Sequence, residues 1–452
     1  MIKIKKLSVL FVISLLFSPD IFSQDNSLLN KAYKALEKGA DYFYSINTKG
    51  GYAHNYKLDM SIKWGEDILE QNEIEIEPPG TPSVGEVFIA AFKATGNKKY
   101  LEYAEAAGHA LINGQNSYGG WDHTIDFDRM EEHEIVSLDD NHTQSAISFL
   151  IKLCEVSQDE EIKKGLDKAL DLMLECQWES GAWPHLFPKQ GDYNDYATFN
   201  DGGINNCVRV MMEAYNSTGN KKYLKSIKQA GHYIFVSQYP PPQTGWAQQY
   251  NEFMQPVWAR TFEPPSICAL VTVRNIFTLM DIYLLTQDKR LLDPIPDAFN
   301  WLESVKLENG KYPRFAELGT NKPLYYDRGR IRVNSVAELS VERRKKYGYE
   351  QQLDYMINPA KELYEAILAK KDIKSVDGFF ERKISDQDLV KLVKNIISTQ
   401  DDEGRWISKD DRYRNIKKGE MWDGTFSKED RISSSIFIRN IKILSEYIEK
   451  HK

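Results

Sequence analysis

The chain has 452 residues, a formal net charge of −8 and four cysteines; 42% of its residues are hydrophobic, 27% are charged, and the mean hydropathy is −0.52. This is globular composition with ample material for a core, which excludes wholesale disorder and a multi-span membrane protein. Nucleic acid is excluded as the default partner, because nucleic-acid binders carry a basic patch or stripe.

The chain opens with Lys3, Lys5 and Lys6, followed by an apolar run from Leu7 to Phe17 and a small residue, Ser23, before Gln24. A basic start, a short apolar stretch and a small residue at the cut predict a secretory signal peptide over residues 1–23. The apolar run is too short to span a bilayer, which takes about 20 residues, so no stable membrane insertion is expected. The mature chain, residues 24–452, is expected to be exported to the periplasm or the exterior and to act as a monomer. Cys154, Cys176, Cys207 and Cys268 form no Cys-x-x-Cys pair. They read as small core residues, with no disulfide and no zinc site.

A repeated unit sets the predicted architecture. Apolar stretches alternate with polar turns in which a small residue stands beside an aromatic: Tyr52, Trp121, Trp183, Trp246, Tyr312 and Trp406, at spacings of 69, 62, 63, 66 and 94. Regular periods of this kind mean stacked supersecondary units. Between the turns, Ile147, Leu150, Ile151 and Cys154 follow a helical spacing. So do Val208, Met211, Met212 and Tyr215, and then Ile276, Leu279, Met280 and Tyr283. Two helices fit each period. The expected fold is all-α: helical hairpins closing into an (α/α) toroid or incomplete barrel, with a central groove lined by the turns. Trp121 and Trp246 then become candidate ligand-binding residues of that groove. Strand pattern is confined to pieces such as Ile331-Arg332-Val333. The long last interval holds a basic insertion from Tyr325 to Gly348, and insertions on repeats tend to emerge on the binding face.

Two polar segments precede predicted helices: Leu138-Asp139-Asp140-Asn141-His142 and Phe199-Asn200-Asp201-Gly202. A single Asp or Asn there reads as a helix cap. Clustered acids one repeat apart would also face one groove, where hard oxygen ligands suit Ca2+. Both readings stand on spacing alone. Arg260, between Trp258 and Phe262 and ahead of Pro264-Pro265, reads either as a packed structural cation or as a functional group. The sequence has no His-Glu-x-x-His, phosphate loop, nucleophile elbow or dinucleotide fingerprint.

Four of these words, LDDNHTQSAISFL, TFNDGG, GWAQQYN and WARTFEPPSI, in that order, resemble polysaccharide lyase family 10, the helical pectate lyases. The resemblance implies calcium-assisted β-elimination of α-1,4-linked polygalacturonate on a helical toroid. It implies Arg260 as the catalytic base and Asp140 and Asp201 as calcium ligands, with Asp139 as the neighbouring alternative. It implies Asn141 as a substrate contact. In the basic insertion, which contains ERRKKYGY, Arg330 and Arg344 are assigned to the substrate, with Arg332 and Arg343 as rivals. Two other readings compete. One is a glycoside hydrolase using a carboxylate pair on a similar ring. The other is a non-catalytic polysaccharide-binding protein.

Overall fold

The computed structural model describes residues 20–130, 134–380, 384–415 and 425–452. Most of the expected signal peptide lies outside them, and its expected end at Ser23 falls at the start of the first helix. Among the described residues fourteen α-helices carry the fold. These are α1 (Asp20–Ser45), α2 (Thr81–Thr95), α3 (Lys98–Asn113), α4 (His142–Cys154), α5 (Glu160–Glu175), α6 (Gly203–Thr218) and α7 (Lys221–Val236). There follow α8 (Ala269–Thr286), α9 (Ile295–Ser304), α10 (Val341–Lys346), α11 (Asp354–Leu368), α12 (Val376–Phe380), α13 (Asp386–Thr399) and α14 (Ser434–His451).

The helices form two layers. In one, α14 packs on α2, α2 on α4, α4 on α6, α6 on α8 and α8 on α11. In the other, α13 packs on α1 and α3 on α5, and each hairpin joins the layers, as in α2–α3, α4–α5 and α6–α7. Sequence explains which layer is inner. Helix α4 is buried almost all round, and α8 is apolar along most of its length. Helices α5 and α7 are amphipathic and keep one polar side in water. Helix α8 is long and apolar enough to cross a membrane by composition, yet here it is a core helix packed among α6, α7, α9 and α11.

The repeated aromatics lock the layers. Each indole N–H donates to a carbonyl near the end of the preceding outer helix: Trp121 to Leu111 (2.8 Å), Trp183 to Met173 (2.8 Å), Trp246 to Ile234 (2.7 Å) and Trp406 to Ile396 (2.9 Å). A glutamine six residues before the ring in three units, and eight in the fourth, ties its own turn to the next outer helix. Gln115 reaches Gly119 and Gly165, Gln177 reaches Gly181 and Ser226, and Gln238 reaches Thr244 and Pro294. Gln400 repeats the contact from Gly404 to Ala35 of α1, so the last unit docks on the first and the ring closes. The small residue in the turn is a steric requirement. Gly181 has φ +104°, and a Cβ there would lie 2.2 Å from the Gln229 carbonyl oxygen.

This geometry corrects one expectation. Trp121 and Trp246 are 1% and 0% exposed, so they are core pins and present no ring face to a sugar. Their indole N–H groups are already spent on helix carbonyls.

Short strands knit neighbouring turns together. Glu73–Glu75 pairs with Thr124–Asp126, Val136–Ser137 with Leu186–Phe187, Ala197–Thr198 with Gln249–Tyr250, and Ser266–Ile267 with Ala316–Glu317. The expected Ile331–Val333 strand forms a hairpin with Tyr325–Asp327. A longer hairpin, Ile407–Arg414 with Phe426–Ser433, was not anticipated from its charged sequence; it pairs with Asn55–Lys57 and joins the two ends of the ring. Trp183→Ala should cost about 3–5 kcal/mol, the usual range for emptying a buried indole site. Urea unfolding measures it, and a loss below about 1 kcal/mol would show that the pin is dispensable.

Candidate functional site

The turns that precede the inner helices gather at one end of the ring, and the caps show what their polar residues do. Outer helices are capped in the ordinary way. Asn97 accepts from Lys99 N–H, Asp159 from Glu161 and Ile162 N–H, and Asn220 from Lys222 N–H. The inner helices α4 and α6 have no side-chain cap. Asn141, at the N-cap of α4, instead accepts from the Arg209 guanidinium at 2.8 Å. Capping therefore does not account for these residues. Asp140 (φ 42°), Asn141 (φ 64°) and Asp201 (φ 42°) all hold left-handed backbone, which costs a non-glycine residue about 1–3 kcal/mol.

That backbone brings three acids together. Asp139, Asp140 and Asp201 each offer a carboxylate oxygen, and the three oxygens lie within 4.8 Å of one another. Asn200 bridges them, donating to Asp201 at 2.8 Å and lying 3.4 Å from Asp139. His185, which is buried, stands 3.5 Å from Asp139. Burial alone would raise the Asp139 carboxyl, but His185 and Arg260 pull it below its usual range. Asp140 goes the other way: burial, Asp139 and Asp201 all push it up. The acid charge continues to Glu77 and Glu75, which burial and neighbouring carboxylates raise to about 7 and about 8. Calcium bound at about 2.3–2.6 Å needs ligand oxygens about 3–5 Å apart, and the three aspartates meet that spacing with hard donors. Asp139 joins Asp140 and Asp201 in the cluster, so both neighbours stand at the same point.

A basic wall faces the acids. Arg260 makes a bidentate pair with Glu263, with Nε to Oε2 at 2.8 Å and Nη2 to Oε1 at 2.7 Å. Glu263 is buried and also accepts from the Tyr347 hydroxyl. Burial would raise Glu263, yet Arg260 and Tyr347 hold it at about 2. Burial would lower Arg260, but the Glu263 pair raises its pKa, the direction opposite to that of a base. Arg330 lies 4.7 Å over the Trp258 ring, and its N–H donates to the Thr261 carbonyl, so the hairpin leans on the Arg260 loop. The rest of the insertion divides. Arg343 is buried 4.0 Å over Phe262 and beside Tyr347, as part of the wall's packing. Arg332 pairs with Glu317 at 2.7 Å. Arg344 is exposed and donates to the Ala337 carbonyl of its own segment, with no contact to the cluster among the described residues.

Two arginines escaped sequence reading. Arg314 is half-buried, stacks 4.0 Å over Tyr347 and donates to the Asn200 side-chain oxygen Oδ1 at 3.5 Å. Arg274, on α8, has no hydrogen-bond partner for its side chain among the described residues. Burial lowers its pKa, Asp201 opposes that and Arg314 adds to it. The available signal was a lone charge inside the apolar run Ala269-Leu270-Val271-Thr272-Val273-Arg274.

With this geometry in hand, residues 124–317 match the family model described as pectic acid lyase. This match covers under half of the chain and agrees with the resemblance read from the sequence. The matched span holds the aspartate cluster, Arg260, Arg274 and Arg314, and leaves Arg330 outside. Among solved structures, a family 10 polysaccharide lyase from Cellvibrio cellulosa is 20% identical, with TM-score 0.50, over 63% of this chain and 97% of its own. An Asp-to-Ala mutant of a family 10 lyase from the same organism, in complex with trigalacturonic acid, aligns with the same values. At this identity the likeness concerns the fold. No curated protein sequence matches the chain. The family-model match supports polysaccharide lyase activity.

Glu263 sits well below its unfolded value of about 4.3, so its pairing stabilises the fold above about pH 4 and loses that contribution as pH falls towards 2. The thermal midpoint of wild type over Glu263→Gln should therefore narrow on acidification. A gap independent of pH between 5 and 2.5 would refute the pairing.

Proposed function

We propose that the protein is a pectate lyase that cleaves α-1,4-linked polygalacturonate by β-elimination with calcium, and that it works as an exported enzyme. The observation that carries this reading is an aspartate cluster opposed by a wall of arginines in one groove. A polyuronate carries one carboxylate per sugar. An acidic groove accepts such a chain only where cations offset its own charge.

Asp139, Asp140 and Asp201 would hold the calcium ion. Bound there, calcium supplies neutralisation of charge at a uronate carboxylate, which makes the neighbouring C5 proton more acidic. The chain's own residues do the rest. Arg274 and Arg330 receive uronate carboxylates by charge-assisted hydrogen bonds. Asn141, held by Arg209, offers an amide to the sugar. Elimination breaks the C5–H and C4–O bonds and forms the C4=C5 double bond. The C5 proton passes to the base, and the leaving O4 takes a proton. Arg260 is the catalytic residue of the proposal. As the base it must be neutral, and Glu263 works against that form; as a cation it would stabilise charge developing on the substrate. The Glu263 pair favours the cationic role.

A hydrolase would use two carboxylates flanking the bond, with room for water. Three acids converging on one point suit a cation better. The test is polygalacturonate with and without a chelator, following ultraviolet absorbance of the unsaturated uronate product. Absorbance should rise with calcium and stop with chelator. New reducing ends without absorbance would mean hydrolysis, and retained binding without products would mean a binding module.

Arg260→Ala should lower turnover by about 10²–10⁴-fold with the fold intact. Near wild-type turnover would remove Arg260 from the chemistry. Glu263→Gln separates its two roles. A base should show its pH–rate rise moved to lower pH, because the opposing charge is gone. A cation should show lower rate with no such movement. Asp201→Ala should raise the calcium needed for half-maximal rate at least tenfold, and an unchanged requirement would remove it from the site.

A further inference from the structure

A second group of ligand-type side chains converges outside the span matched to the lyase family. His54, Glu75 and Glu77 each bring one ligand atom within 4.8 Å of the other two. Backbone pairing fixes all three. Glu75 ends the strand Glu73–Glu75, which pairs with Thr124–Asp126, and its N–H donates to the Tyr52 carbonyl at 2.9 Å. Glu77 lies just ahead of α2. The His54 carbonyl accepts from Ser434 N–H at 2.9 Å, which ties it to the start of α14.

Two observations point to a bound cation. The first is Glu75, which is 3% exposed while its Oε2 has no hydrogen-bond partner. The backbone crowds that oxygen: a Cβ on Gly65 would come within 1.9 Å of it. A buried carboxyl oxygen without a partner is costly, and its ionised form needs a counter-charge beside it. The nearby imidazole of His123 is engaged by Asp122 at 2.6 Å. The second observation is the tautomer of His54. Its Nε2 lies 2.7 Å from the Glu77 carbonyl oxygen, which can only accept. Nε2 therefore carries the proton and Nδ1 presents its lone pair. A ring N–H bond of this kind to a backbone carbonyl is the one that orients histidines at metal sites, with the other nitrogen left to ligate.

We propose that His54, Glu75 and Glu77 form a binding site for a divalent transition-metal ion of the zinc class, distinct from the aspartate cluster. One imidazole nitrogen with two carboxylate oxygens suits zinc, whereas the all-oxygen aspartate cluster suits calcium. Three protein ligands leave a fourth position for water or a ligand oxygen. The ion would staple the strand Glu73–Glu75 and the entry to α2 to the segment that meets α14, where the first and last units of the ring join. It would also add positive charge beside the acidic floor, since Glu77 interacts electrostatically with Asp139 and Asp201.

The test uses the full metal-free chain, titrated with Zn2+ alone and with Ca2+ alone, with calorimetry and bound-metal analysis after gel filtration. We expect one tight zinc per chain and a raised thermal midpoint. His54→Ala and Glu75→Gln should each weaken zinc binding at least tenfold, while Asp201→Asn keeps it. Loss of zinc in Asp201→Asn but not in His54→Ala would overturn the proposal, as would calcium competing equally for the site. X-ray absorption of the zinc-loaded wild type needs no variant to fold: an imidazole in the zinc shell is expected, and a shell of oxygens alone refutes the site. None of these readouts depends on lyase activity, so the site stands or falls apart from the proposed reaction.

Discussion

Repulsion between carboxylates held close together is the constraint on which the site depends. Asp139, Asp140 and Asp201 bring oxygens within 4.8 Å of one another in a half-buried groove. At an effective dielectric of about 20, two unit charges at that range repel by roughly 4 kcal/mol. A free surface loop would relieve this by splaying apart. Here the acids stay together because left-handed backbone at Asp140 and Asp201 turns their side chains out of capping geometry, and because helices begin immediately after them. Asn200 below and His185 beside the cluster absorb part of the charge, and a cation suits the remainder.

The rigidity comes from the repeat. Each of the four tryptophan turns is fixed by an indole N–H on an outer helix and by a glutamine joining it to the next unit, and short strands pair adjacent turns. These contacts are buried and directional, so neighbouring turns hold a constant register around the ring. Equivalent positions on successive turns therefore meet at the groove. The aromatic side chains serve this purpose and leave recognition to the polar residues that flank them.

The charge layout follows from the same stacking. Turns before α4 and α6 supply acids, while α8, the loop before it and the later insertion supply arginines. The buried Arg260–Glu263 pair is locally neutral, and Arg343 and Arg314 are shielded by Phe262 and Tyr347. This leaves Arg274 and Arg330 freer to meet an anionic chain. Net charge says little about such a groove, because screening over about 8 Å in physiological salt separates the acidic exterior from local pairs.

The all-α class, the paired helices and the period were legible in the sequence, because helical spacing and a repeated small-residue–aromatic turn are local signals. Asp140, Asp201 and Arg260 stood out as candidates, each set in an unusually polar turn beside an apolar helix. The roles of Trp121 and Trp246 were not legible: an aromatic in a turn reads the same whether its ring faces a groove or a helix end. Nor was the choice between Arg343 and Arg344, since adjacent residues of a short helix point in different directions and only packing decides which is buried. Arg274 and Arg314 were hidden because what matters is their proximity to Asp201 and Asn200, which lie on other turns. The sequence by itself determined the hairpin units and the chemistry each turn can carry, since both rest on local periodicity and composition. The tertiary structure alone decided which turns meet, which guanidinium stays unpaired and which acids share one point, because those depend on contacts between residues far apart in the chain.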